Sequence, residues 1–195
     1  LDPEWNVSAS GAGFAVKKEV FEDIRGFDPN LFLYHDDVDF SLRSRLAGYT
    51  CLYTPTWIVK HQSEFRLTPE KWFWVEQNRL AVLLKVYKWR TLFFLFPCIF
   101  LVELLTWAHL LSRGVNYVKA KAGSYSWLIM HLNEILRSRE NIQANRRISD
   151  NQLLRTLSLE VPFHQILKGF PATLSEFILN NFFKAMFWLT IKFIE

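Results

Sequence analysis

Phe32-Leu33-Tyr34-His35-Asp36-Asp37-Val38-Asp39-Phe40-Ser41-Leu42-Arg43-Ser44-Arg45-Leu46-Ala47-Gly48 runs from a loop, through a cluster of acids, into a helix. Val38, Leu42 and Leu46 recur four apart, which is one face of a 3.6-residue helix, and Gly48 supplies its stop. Upstream, residues 13–16 read as a buried strand and residues 17–24 as a short helix ended by Gly26. Residues 27–34 then form a loop containing Pro29. Downstream, residues 50–53 and 57–60 read as two strands around a turn at Pro55. Apolar runs alternating with a helix predict an α/β domain over residues 8–61.

Beyond that zone the periodicity lengthens. Thr68-Pro69-Glu70 is a helix start, with Thr as cap and Pro in the first turn. Apolar positions 72, 75, 80, 83, 84 and 87 give a helix through residue 90, with Lys71, Arg79, Lys85, Lys88 and Arg90 on its wet face. Residues 92–111 carry one charge, Glu103, and one breaker, Pro97. A polar, arginine-rich stretch (137–155) precedes a second aromatic, apolar run at 177–194. The expected organisation is therefore an α/β domain portion at 1–67, a connecting amphipathic helix at 68–91 and a helical, membrane-associating region at 92–195.

Composition narrows the classes. A chain of 195 residues has room for one domain and an appendage. Cys51 and Cys98 are too few for a disulfide framework, so reduced thiols in a cytosolic compartment are expected. Residues 1–91 hold 12 Lys+Arg against 12 Asp+Glu, whereas residues 92–195 hold 11 against 7, so the net +4 lies entirely in the second part. A basic half rich in Phe and Trp suggests an anionic membrane surface. No nucleic-acid recognition motif accompanies the charge, and no nucleic-acid partner is expected.

Ser10-Gly11-Ala12-Gly13-Phe14-Ala15-Val16-Lys17-Lys18-Glu19-Val20-Phe21, Gly26-Phe27-Asp28, the acid cluster, Leu46-Ala47-Gly48-Tyr49, Tyr53-Thr54-Pro55 and Val59-Lys60-His61 together resemble family 2 glycosyltransferases. Their order and spacing are similar to the branch of rhamnosyl- and galactofuranosyltransferases. Gln77-Asn78-Arg79 and the run 137–154 resemble it more loosely. The resemblance implies the C-terminal portion of a GT-A-type (Rossmann-like) domain. It also implies that the nucleotide-binding half, with its Asp-x-Asp metal motif, precedes Leu1. The implied reaction is inverting transfer from a nucleotide-sugar donor to a saccharide or lipid-linked acceptor hydroxyl, in cell-surface glycan synthesis at the cytoplasmic face of the membrane.

Such a transfer needs a carboxylate to take the hydroxyl proton and positive charge on the departing diphosphate. Asp36 and Asp37 sit where amide groups and the positive end of a helix favour an ionised carboxylate. By resemblance Asp37 is the general base, while Asp36, Gly11 and Gly13 line the acceptor and Asp39 braces the local structure. His61, at the end of a strand-like segment, is the expected ligand of a divalent metal, Mg2+ or Mn2+. The plainer alternatives are that the acids only cap a helix, that His61 is structural and that Gly11 and Gly13 only make a tight turn. His35-Asp36 is also similar to metal phosphohydrolase pairs, but no earlier histidine completes that set.

Twenty helical residues at 92–111 would reach about 30 Å, the thickness of a hydrocarbon core. Both flanks are basic, so charge gives no orientation. Either this run crosses and residues 177–194 return, or both lie in the interface, and Pro97 and Glu103 favour the interfacial or re-entrant arrangement. A functional alternative from another class is a non-catalytic, membrane-associated scaffold retaining the glycosyltransferase fold.

Overall fold

The computed structural model describes residues 4–6, 8–54, 56, 58–60, 67–157 and 171–194. Two short strands, β1 (Glu4–Asn6) and β2 (Cys51–Tyr53), pair antiparallel with Trp5 opposite Leu52. The remaining regular structure is helical: α1 (Lys18–Asp23), α2 (Asp36–Leu46), α3 (Pro69–Val86), α4 (Trp89–Arg113), α5 (Val115–Met130), α6 (Leu132–Ala144), α7 (Asp150–Leu154) and α8 (Pro171–Phe193).

The expected α/β layering is not seen among the described residues, whose only sheet is this two-stranded ribbon. The strand expected at 50–53 is β2. Residues 14–17 are irregular, and so are residues 58–60, which with Trp57, outside the described residues, made up the other expected strand. A strand needs a neighbour to accept its amides, and neither segment has one among the described residues. The turn after α1 closes at Gly26, whose amide returns to the Phe21 carbonyl at 2.8 Å. Its φ of +63° is open to glycine without steric cost.

Helix α2 buries the predicted face: Leu42 and Leu46 enter the core and Val38 packs at its edge. Opposite lie Ala81, Val82, Val86 and Tyr87, then Ile135 of α6 and Leu153 and Leu154 of α7. Thr68 caps α3 by accepting from the Lys71 amide, as its sequence predicts. The buried face of α3 differs from the expected one, because it also contains Glu76, Gln77, Asn78 and Lys85. Lys85 was expected in water, yet it is 1% exposed, and two carboxylates receive it.

The arginine-rich stretch closes the C-terminal end of α3. Arg139 donates to the carbonyls of Leu84 and Tyr87 and lies 4.0 Å over the Trp89 ring. Gln143 donates to the carbonyls of Lys85 and Val86. Asp150, held by Arg146, accepts from the Lys88 amide and the Thr91 hydroxyl where α4 begins. These contacts satisfy carbonyls that a helix end leaves without partners. Arg139 and Arg146 are therefore used inside the fold, while Arg137, Arg147 and Arg155 stay exposed.

Helix α4 runs unbroken through Pro97. It is the one helix among the described residues long and apolar enough to cross a membrane, with a mean hydropathy of 2.0 over a window only 6% buried. The end of α8 returns beside its start, where Phe193 stacks on Phe94 at 5.7 Å. Glu103 is not a lone charge in an apolar run. It meets Arg79 of α3 and both Lys121 and Tyr125 of α5, while Glu76 also pairs with Arg79 and Lys121. Two carboxylates and two cations balance in one enclosed cluster, which ties α4 to the helices that carry the acid-bearing unit.

Candidate active site

The acids stand on a turn that its sequence alone would not favour. Tyr34 and His35 both have left-handed backbone, with φ of 66° and 58°. For side-chain-bearing residues this conformation costs roughly 1–3 kcal/mol each. Asn78 of α3 meets that turn directly, donating through Nδ2 to the carbonyls of Leu33 and Tyr34 at 2.9 and 2.8 Å. Immediately after it α2 begins, with Asp36, Asp37 and Asp39 in its first turn.

Each acid has different surroundings. Asp39 is fully buried, with one oxygen 2.7 Å from Arg43 Nε and the other 2.7 Å from Lys85 Nζ. Arg43 also donates to the carbonyls of Ile24 and Gly26, so the pair fastens α2 to the end of α1. Lys85 reaches Asp28 at 2.6 Å as well. Burial pushes the Asp28 carboxyl upward, but Lys85, the Asn30 amide and Arg43 together hold the group below the ordinary carboxylate value. Asp39 braces the helix and has no oxygen to spare for a ligand.

Asp37 faces the loop that carries the first glycines. Its Oδ2 accepts from the Gly11 amide at 2.7 Å and its Oδ1 from the Val38 amide at 2.8 Å. Ser41, one turn on, donates to the Asp37 carbonyl and accepts from the Ala9 amide, which holds the same loop a second time. A Cβ on Gly11 would lie 3.3 Å from Asp37 Oδ2, so the glycine allows this close approach. Gly11 and Asp37 are brought together at a partly exposed edge. Gly13 instead lies against Val59, where a Cβ would come within 2.7 Å of Cγ2. Asp36 is half-exposed beside Asp37, without a hydrogen-bond partner among the described residues.

His35 was not among the expected site residues. Its ring is largely buried next to the acids, Nδ1 has no partner, and burial followed by the nearby Arg79 charge holds its pKa below the ordinary histidine value. His61 lies outside the described residues. Among those described, no group of three or more His, Cys, Asp or Glu could hold a metal ion. Asp36 and Asp37 alone do not complete a metal site, and Asp39 is committed to Arg43 and Lys85.

A cleft of about 490 Å³ opens elsewhere, between the α1–α2 connection and α6, lined by Arg25, Asn30, Arg43, Asn141 and Arg147 among others. It reaches Ala47 at the far end of α2, about ten residues or 15 Å along the helix from Asp37. None of Gly11, Asp36 and Asp37 lines it. The acids therefore occupy an open edge and not this cleft.

Sequence comparison joins the acid-bearing helix and the long helices behind it in one family. The model of glycosyl transferase family group 2 matches residues 6–136, and the chain belongs to that family. Its members transfer glycosyl groups. Comparison with curated proteins and with solved structures gave no match.

Proposed function

We propose that the protein is an inverting glycosyltransferase that moves a sugar from a nucleotide-sugar donor to a hydroxyl of a saccharide or lipid-linked acceptor, with Asp37 as the general base. The observation that carries this reading is the seating of Asp37. Its carboxylate is fixed by the amides of Gly11 and Val38 at the start of α2 and stays at an accessible edge, whereas Asp39 is buried and paired. A carboxylate held in one orientation can accept a proton from an acceptor hydroxyl as that oxygen attacks the anomeric carbon. Asp36, on the adjacent residue, would hold the acceptor, with Gly11 allowing the loop to approach it. The GT-A-type architecture, the rhamnosyl- or galactofuranosyl-like branch and a place in cell-surface polysaccharide synthesis belong to the same reading.

A divalent metal, Mg2+ or Mn2+, would supply positive charge to the leaving diphosphate, with His61 as a ligand. The described residues do not complete its site, and the proton transfer is derived without it. Membrane association at the cytoplasmic face is supported by α4, whose apolar surface is largely uncovered, and by Trp188 and Phe193 exposed on α8. A site held against a bilayer would suit an acceptor carried on lipid.

Asp37→Asn in the whole protein tests the reading. Turnover is expected to fall by about 10²–10⁴, the usual contribution of a general base, with membrane binding unchanged. Wild-type turnover in this variant would remove the assignment of Asp37 as base, whereas no turnover by the unaltered protein would leave the scaffold alternative in its place.

A further inference from the structure

Asn78 is fully buried and touches no surface that a substrate could reach, yet its side chain is the direct support of the turn before the acids. One amide group offers two N–H bonds, and here they go to two successive carbonyls, of Leu33 and Tyr34. Successive carbonyls point to the same side only where the chain turns between them. The two donors reach both carbonyls in the conformation seen here, in which Tyr34 and His35 are left-handed, and so hold that turn once it has formed. Gln77 Nε2 donates to Asn78 Oδ1 at 3.1 Å, which fixes which end of the amide faces the turn. The next residue, Arg79, is anchored by Glu76 and by Glu103 of α4, so the clamp stands on a braced segment of helix.

We infer that Asn78 is a positioning residue for the carboxylate pair: it holds residues 33–35 in the left-handed turn that aims Asp37 at the Gly11 loop. The inference rests on the reading of Asp37 as the base. Without the clamp the turn relaxes toward ordinary backbone conformations, α2 begins in a different direction and the Asp37–Gly11 contact is lost. The chain still folds, because the Asp39–Lys85–Arg43 brace and the core face of α2 do not involve Asn78.

The test uses the whole protein in its native membranes, supplied with UDP-, GDP- and dTDP-linked hexoses and 6-deoxyhexoses, and reads nucleoside diphosphate release. Asn78→Asp keeps the size of the side chain and removes its donors. Its kcat is expected to fall about 10- to 100-fold, with donor KM changed less than about threefold. Amide exchange should quicken at residues 33–37 and at Gly11, with α3 and the core as protected as before. Adding Tyr34→Gly, which makes the left-handed conformation accessible without the clamp, should recover part of the lost kcat. A role in global stability alone would give neither the local exchange pattern nor the rescue. If Asn78→Asp turns over normally while Asp37→Asn is inactive, the clamp is overturned and the base stands. If Asp37→Asn turns over normally, the base assignment fails and this inference fails with it. Should Asn78→Asp not accumulate, Asn78→Ser, with one short donor, carries the same comparison and the same overturning result.

Discussion

Lys85 Nζ lies 2.7 Å from Oδ1 of Asp39, and neither side chain is open to solvent. The same ammonium holds Asp28 at 2.6 Å, and with Arg43 on the other oxygen of Asp39 two cations balance two carboxylates where α2, α3 and the loop after α1 meet. Removing one partner of a buried pair leaves uncompensated charge, which typically costs 3–5 kcal/mol. Lys85→Ala is therefore expected to destabilise the protein by about that much, far beyond the loss at an exposed lysine. Urea denaturation checks it, and a shift below about 1 kcal/mol would mean the pair is solvated.

This brace marks the limit of what the sequence disclosed. Helix α2 was legible because Val38, Leu42 and Leu46 keep helical spacing, and α3 because Thr68 and Pro69 announce its start. The acid cluster was legible because it sits between a loop and that helix. Lys85 was misplaced because a lysine four turns into an amphipathic pattern reads as wet, and nothing local reveals two carboxylates 46 and 57 positions earlier. Asn78 was visible only as part of a loosely similar tripeptide, since its partners are backbone carbonyls, which leave no trace in residue type. The expected strand at 13–16 failed for a related reason: an apolar run does not say whether a neighbouring strand will receive its amides.

Gly11 and Gly13 should respond differently to the same small change. At Gly11 an added Cβ needs Asp37 to give by only a few tenths of an ångström. Gly11→Ala is expected to change stability by less than about 1 kcal/mol and turnover by about tenfold or more, because the displaced atom belongs to the carboxylate proposed as the base. At Gly13 the Cβ would strike Val59, a stiff β-branched side chain, at 2.7 Å. Gly13→Ala should cost about 1 kcal/mol, since Val59 is exposed and can shift only in part. Paired denaturation and turnover measurements separate the two, and equal effects on both quantities at both sites would contradict the geometry.

His35 predicts a pH dependence with a definite sign. Burial, then the charge of Arg79, depresses its folded-state pKa below the ordinary value of 6.5. As pH falls below about 6.5 the unfolded chain takes up a proton that the folded chain refuses. The stability present above that pH is then lost progressively until the folded-state pKa is passed. His35→Asn, which tolerates the left-handed backbone and does not titrate, should flatten this part of the stability curve. Asp28 does not blur the result, because its depressed carboxyl gives up stability only in more acidic solution, below its ordinary value of 3.8. Urea midpoints from pH 5 to pH 8 measure it, and parallel curves for the two proteins would exclude the histidine as the source.

Phe93, Phe96 and Phe100 stand 74%, 60% and 51% exposed on α4. Their spacing of three and four places them along one side of the helix, and Phe93 and Phe96 precede and adjoin Pro97, where the helix lacks one internal N–H. If a bilayer covers this side, each ring is withdrawn from water with a gain of about 1.5–3 kcal/mol. Replacing all three by serine should then lower partitioning into phosphatidylglycerol–phosphatidylcholine vesicles by more than about 100-fold. The Glu76–Arg79–Glu103–Lys121 cluster lies toward α3 and α5, so the substitutions leave it intact and the circular dichroism spectrum should not change. Unchanged partitioning by a folded triple variant would mean that protein covers this surface. The reason proposed for keeping the sugar-transfer site beside lipid would then have to be found in another part of the chain.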